Sequence, residues 1–208
     1  AVRMNTQLST PLLRAAEDEG LSLNLLERFA AHRQLRPEAP AIICGEQRLT
    51  SAGLDAAANR LAHRLQALGV TRDVPVGMCL EPGTPLLVAM LGVLKAGGAW
   101  LPLDPAWPRE RLQHMLGVVA PTVLITSGAL RERCPSGAHR LFDLDREQAE
   151  IAAQPATDPQ LPIAPEQLCY LMFTSGSAGT PKCVMVTHGN LAGLFPPLSA
   201  ALDFGPDE

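Results

Sequence analysis

The stretch Thr174-Ser175-Gly176-Ser177-Ala178-Gly179-Thr180-Pro181-Lys182 concentrates hydroxyls, two glycines, a proline and a lysine between two apolar runs. Glycines let backbone N–H groups turn inward without steric cost, hydroxyls donate hydrogen bonds, and a lysine adds a positive charge. These are the ingredients of a polyphosphate cradle. A Walker-type loop is a poor fit, because that pattern places a hydroxyl residue directly after a Gly-Lys pair and runs into a helix. Here Pro181 separates Gly179-Thr180 from Lys182, Cys183 follows the lysine, and Val184-Met185-Val186 reads as extended.

A segment that holds such a loop must have rigid elements on either side. The run 168–173 reads as a strand entering the loop and 184–186 as a short strand leaving it, after which Thr187 can cap a helix over 188–201. Upstream, apolar residues at helical spacing predict a helix over 23–32, stopped by Pro37 and Pro40. The run 41–50 reads as a hairpin turning at Gly45-Glu46.

Thr50 or Ser51 can cap the next helix, in which Leu54, Ala58, Leu61, Leu65 and Leu68 form an amphipathic stripe ended by Gly69. A strand over 74–80, a helix over 84–96 and a strand over 99–103 follow. Pro108 is placed at the first position of a helix carrying Leu112, Met115 and Leu116. Further strands are predicted at 122–126 and 140–144, with a loop over 154–165. Strands alternating with helices argue for βαβ units and an α/β fold with a parallel sheet.

The bulk properties exclude several classes. In 208 residues, 47% are hydrophobic and 18% charged, enough for a real core and too apolar for a disordered chain. The net charge of −4 is scattered along the chain, so no basic footprint for nucleic acid exists. Apolar stretches break within about a dozen residues, short of the roughly 20 needed to span a bilayer. The five cysteines, at 44, 79, 134, 169 and 183, form no CxxC pair and suit reduced thiols in cytoplasm better than disulfides or a zinc site. The chain opens Ala1-Val2-Arg3-Met4 without a signal-peptide core, and is expected to be a piece of something longer.

At this point the residues resemble a family. YLMFTSGSAGTPKCV at 170–184 is similar to the phosphate-loop signature of the adenylate-forming superfamily, which includes acyl-CoA ligases, luciferases and adenylation domains of nonribosomal peptide synthetases. LKAGGAWLPLDP at 94–105, continuing through Trp107-Pro108, Glu110-Arg111-Leu112 and Met115-Leu116, narrows the resemblance to amino-acid adenylation domains. A further likeness covers Leu49-Thr50 with Leu54, Asn59-Arg60-Leu61-Ala62 and Leu68-Gly69-Val70, in the same order and at about the same spacing.

The resemblance implies α/β architecture with layered sheets flanked by helices, the N-terminal subdomain or subdomains of the adenylate-forming fold. It implies a linker or arm at 1–22 and the N-terminal portion of an adenylation domain at 23–208. The implied reaction is attack of an amino-acid carboxylate on the α-phosphate of Mg-ATP, giving an aminoacyl adenylate and pyrophosphate. The phosphopantetheine thiol of a carrier-protein domain then takes the acyl group.

Thr174, Ser175, Gly176, Ser177, Gly179, Thr180 and Lys182 are the implied phosphate-binding residues, with Lys182 also the candidate catalytic residue and no metal ligand assigned. Implied partners are carrier-protein and condensation domains and a small MbtH-like activating protein. The parent domain would be a ligase of secondary metabolism; this portion alone is expected to be inactive, since the specificity pocket, the nucleoside-binding residues and the lysine of the mobile lid come later in the family's order. The alternatives are a catalytically silent remnant kept for docking, or a portion of an acyl-CoA or aryl-acid ligase.

The loop departs from the family pattern twice. Ala178 stands where Thr is usual, removing a donor whose bond to a charged acceptor is worth about 1.5–3 kcal/mol. Cys183 stands where Gly is usual, adding a side chain after the lysine. Elsewhere, His32, His63, His114, His139 and His188 share no ligand spacing and read as structural or surface residues. Cys169 and Cys183 read as packing thiols, Asp104-Pro105 as an ordinary Asp-Pro turn, and Trp100 and Trp107 as packing or partner-surface residues.

Overall fold

The computed structural model describes residues 3–4, 24–174 and 181–194. Residues 12–19, whose sequence suggests one helical turn, lie outside the described residues.

Two sheets carry the fold. The smaller is antiparallel, in the order β1 (Arg3–Met4), β2 (Pro40–Cys44), β3 (Gln47–Thr50). The larger contains β4 (Pro75–Cys79), β5 (Ala99–Pro102), β6 (Val123–Thr126), β7 (Arg140–Asp143), β8 (Leu168–Thr174) and β9 (Lys182–Thr187), in the order β7-β6-β4-β5-β8-β9. All its pairs are parallel except β8 with β9. The expected α/β class and parallel sheet are therefore present.

Side-chain alternation divides the large sheet between two cores. On one face Val76, Met78, Val123, Ile125 and Phe142 pack with Leu61 and Leu65 of α2 (Ser51–Ala67) and Val93 of α3 (Thr84–Lys95). On the other, Leu101 and Leu124 pack with Leu112, Met115 and Leu116 of α4 (Arg109–Val119). Strand β6 is buried at every position, so it reads in sequence as an unbroken apolar run. A third cluster joins Ile42 of β2 to Leu54, Ala58 and Leu91, with Leu26 and Phe29 of α1 (Leu25–Leu35) against it.

Local chemistry sets the boundaries. Asn24 caps α1 in a reciprocal box with Glu27, and the helix runs to Leu35, three residues beyond the expected 32. Thr50 caps α2 through a bond from Gly53 N at 3.1 Å. After α3, Gly97 adopts φ +87°, and a Cβ on Gly98 would lie 3.0 Å from Val74 O and 2.8 Å from Val70 Cγ1. The first glycine turns the chain and the second lets β5 approach β4.

Pro108 is not the first helical residue but the N-cap of α4: its ψ of 144° is extended, and the helix begins at Arg109. A 3-10 segment (Gly128–Arg133) and the short α5 (Gln148–Ala152) were not expected. No residue of α5 is buried, so it carries no apolar stripe to read; it is preceded by Glu147, which binds Arg64 and Arg140. Strand β9 extends beyond the expected 184–186, and a helix follows over 188–194. Among the described residues no helix is long and apolar enough to cross a membrane.

Candidate functional site

Thr174 closes β8 and Lys182 opens β9, directly opposite one another across the antiparallel pair. Both are exposed. Because β8 is parallel to β5, with Trp100 facing Tyr170, this pair sits at the carboxyl edge of the sheet. That is the edge at which open α/β sheets present ligands. Ser175, Gly176, Ser177, Gly179 and Thr180, together with Ala178, lie outside the described residues. Among the described residues Lys182 has no ion-pair partner, which leaves its ammonium available to an anion.

The base of the β8–β9 hairpin is tied down by residues that carried no signal as site residues. Asp73 adopts φ +63°, its carboxylate accepts a hydrogen bond from Leu168 N at 2.7 Å, and its own N–H donates to Gly97 O at 3.1 Å. Gln167, 2% exposed, donates from Nε2 to the same Gly97 carbonyl at 2.9 Å. His188 N donates to Gln167 O at 2.9 Å and Gly189 N to Pro165 O at 2.8 Å. Thr187 and Asn190 exchange two bonds of 3.1 Å that cap the following helix, as expected for Thr187. The Trp100 and Tyr170 rings stack at 4.6 Å, fastening β8 to β5. The positive φ at position 73 suits an Asp, which tolerates that region more readily than most residues.

Other residues of this region pack or close turns. His188 is 1% exposed, burial lowers its pKa against the pull of Asp73 and Glu27, and neither ring nitrogen has a partner among the described residues. Burial pushes the Cys169 thiol up to about 12 and also raises that of Cys183. Asp104 accepts Ala106 N at 2.8 Å in a side-chain-closed turn, and Arg111 lies over the Trp107 ring. Among the described residues no group of three or more His, Cys, Asp or Glu side chains could hold a metal ion.

One cavity, of about 530 Å³, is lined by Arg109, Arg131, Cys134, His139 and Arg146 among others. Among the described residues its lining includes neither Thr174 nor Lys182.

The profile of a family described as AMP-binding enzyme matches residues 29–203. The chain is 40% identical over 182 residues to a linear gramicidin synthase of Brevibacillus parabrevis, covering 88% of this chain and 2% of that protein. It is 46% identical over 160 residues to phosphinothricin tripeptide synthetase PhsC of Streptomyces viridochromogenes, covering 76% of this chain and 15% of that protein.

Among solved structures it superposes on the nonribosomal peptide synthetase FmoA3, in a form bound to α-methyl-L-serine-AMP, with a TM-score of 0.77 and 28% identity over 86% of this chain and 20% of that one. The N-terminal subdomain of Klebsiella oxytoca NpsA shares the fold, with a TM-score of 0.72 at 23% identity over 84% of this chain and 45% of that one. The chain belongs to the AMP-binding enzyme family and carries an N-terminal portion of its fold. It spans only a small part of the length of these synthetases.

Proposed function

We propose that this chain contributes the pyrophosphate-holding loop of an amino-acid-activating domain in a nonribosomal peptide synthetase. The observation that carries this reading is the cross-strand pair Thr174 and Lys182, exposed at the carboxyl edge of the sheet on either side of the glycine- and hydroxyl-rich segment. ATP is the nucleotide substrate. The amino-acid carboxylate attacks its α-phosphorus, the bond to the bridging oxygen breaks, and pyrophosphate leaves with that electron pair.

Lys182 and the Thr174 hydroxyl would stabilise charge on the departing β- and γ-phosphates, together with hydroxyls and amides of Ser175, Gly176, Ser177, Gly179 and Thr180. Such groups accelerate the step only as far as they hold the leaving group more strongly than the intact nucleotide. Magnesium accompanies ATP in this reading, but the described residues supply no ligand set for it, and no step is assigned to it. The names of the relatives, peptide synthetases, favour an amino acid over an acyl-CoA or aryl-acid substrate, and favour an active domain over a silent remnant.

In this reading residues 1–22 are a linker or arm and 23–208 the N-terminal portion of the domain. Its partners are carrier-protein domains bearing phosphopantetheine, condensation domains and a small MbtH-like protein, and its compartment is the cytoplasm. The test is ATP–pyrophosphate exchange by the synthetase that contains this chain. Lys182→Ala should lower exchange by about 10²–10³-fold, the scale for losing one charge-stabilising donor, with Lys182→Arg retaining more activity. Unchanged exchange in Lys182→Ala would overturn the assigned role.

A further inference from the structure

Two thiols outside the phosphate site are brought together by the fold. Cys79 ends β4 and faces Thr126 of β6 in register, while Cys134, just after the 3-10 segment, places its sulfur 3.3 Å from Thr126 Oγ1. Both cysteines are buried in one apolar cluster, and Cys134 also lines the cavity of about 530 Å³. Arg109, Arg131 and Arg146 line that cavity, opposed by Glu132 and by the buried carboxylate of Asp143, 3.6 Å from both Arg131 and Arg146. Three guanidiniums against two carboxylates leave the cavity electropositive, and guanidinium forks match carboxylate geometry.

We propose that Cys134 is a thiol-modification site selective for small anionic disulfides of the glutathione class, with Cys79 as the thiol that resolves the mixed disulfide. Cavity access belongs to Cys134; Cys79 is 1% exposed and is not among the residues lining that cavity. The acidities run the same way. The neighbouring Cys79 thiol pulls Cys134 down to about 6 against the opposing effect of burial, with help from Thr126, Arg109 and Arg131, while Cys79 is raised. A thiolate is the attacking species in disulfide exchange, so Cys134 reacts first.

The steps balance. The Cys134 thiolate attacks one sulfur of the disulfide, a Cys134–S–S–R bond forms, and RS⁻ leaves and takes up the proton that Cys134 released. With the Cys134 charge gone, Cys79 loses the neighbour that held its proton. Cys79 gives up that proton, its thiolate attacks the Cys134 sulfur to form the internal disulfide, the bond to the bound sulfur breaks, and the expelled RS⁻ takes up the proton. Two protein thiols are oxidised and one small disulfide is reduced to two thiols. This site is independent of the proposed nucleotide activity.

The experiment treats the protein with glutathione disulfide or with cationic cystamine at equal ionic strength, followed by acid quench, intact mass and peptide mapping. Glutathione disulfide should yield a Cys79–Cys134 disulfide in the unsubstituted protein, a single glutathionyl group retained on Cys134 in Cys79→Ser, and neither product in Cys134→Ser. It should react about tenfold faster than cystamine, the low end of electrostatic steering. The Arg109→Gln/Arg131→Gln protein, which keeps both thiols, should bring that ratio toward one. Equal rates for the two reagents in the unsubstituted protein, or reaction at Cys134 no faster than at the half-buried Cys44, would overturn the proposal.

Discussion

The Lys95 ammonium lies 3.0 Å from the Asp55 carboxylate, joining the end of α3 to the first turns of α2, with the Lys95 side chain only 4% exposed. The same ammonium binds Asp158, and Asp55 also pairs with Arg33 and accepts a bond from Asn59 Nδ2 at 3.1 Å. Asn59 in turn donates to Ala156 O at 2.7 Å, and His63 Nε2 lies 2.9 Å from Thr157 O. The segment over 154–165 is thus strapped onto two helices by Lys95, Asn59 and His63.

Removing that cation leaves Asp55 desolvated with its remaining partners. Lys95→Ala should destabilise the fold by about 3–5 kcal/mol, the range for breaking a buried pair. Asp158 is 44% exposed, so Asp158→Asn should cost less than about 1 kcal/mol. Urea unfolding with unchanged m-values distinguishes the two; equal losses would place the anchor at Asp158 instead.

At the base of the hairpin, Asp73 combines a positive φ with an acceptor for Leu168 N. Asp73→Ala loses the acceptor and retains the strain, and is expected to cost about 2–4 kcal/mol by adding an unsatisfied amide to a left-handed penalty. Asp73→Gly relieves only the backbone, and Asp73→Asn keeps both features. The expected stability order is Asn, then Gly, then Ala, read from thermal midpoints. A different order separates backbone conformation from hydrogen bonding as the dominant cause.

Gly92 lies where α3 crosses α2. A Cβ there would sit 3.0 Å from Leu61 Cδ2 and 3.2 Å from Leu61 Cβ, and Leu61 is 1% exposed. In Gly92→Ala the gain in helix propensity, about 1 kcal/mol, offsets a contact that Leu61 can partly relieve. Gly92→Val should instead lose about 1–3 kcal/mol through overpacking. Differential scanning calorimetry of the two variants checks the contrast.

His188 makes acid sensitivity predictable in sign. Burial lowers its pKa from 6.5 despite the carboxylates of Asp73 and Glu27, so the unfolded chain binds a proton at higher pH than the folded one. Its contribution is complete above about 6.5 and is lost as pH falls below it. His32 and His139 are shifted the same way and share the trend. His188→Gln should flatten the decline in stability between pH 7 and 5; a slope identical to that of the unsubstituted protein would remove His188 as its source.

Much of this molecule was legible before its fold. The stripe through Leu54, Ala58, Leu61 and Leu65 located α2, because helical periodicity is a local property, and Pro, Gly and capping residues marked most boundaries within a few residues. The residue types around Lys182 suggested a phosphate-type loop, and the resemblance they carried named the family. Placement of Pro108 differed by one residue because ring geometry suits both the cap and the first turn.

Long-range pairing was not legible. Asp73 reaches Leu168 across 95 positions and Lys95 reaches Asp158 across 63, and no periodicity signals which distant partner a polar side chain will meet. The 3-10 segment and α5 lacked a readable pattern because they bury few or no residues. The sequence alone determined most of the elements and the family, since these depend on local propensity and residue chemistry. The strand order, the buried Lys95–Asp55 pair and the meeting of Cys79 with Cys134 were decided by tertiary structure, because each arises where strands or helices distant in the chain are packed side by side.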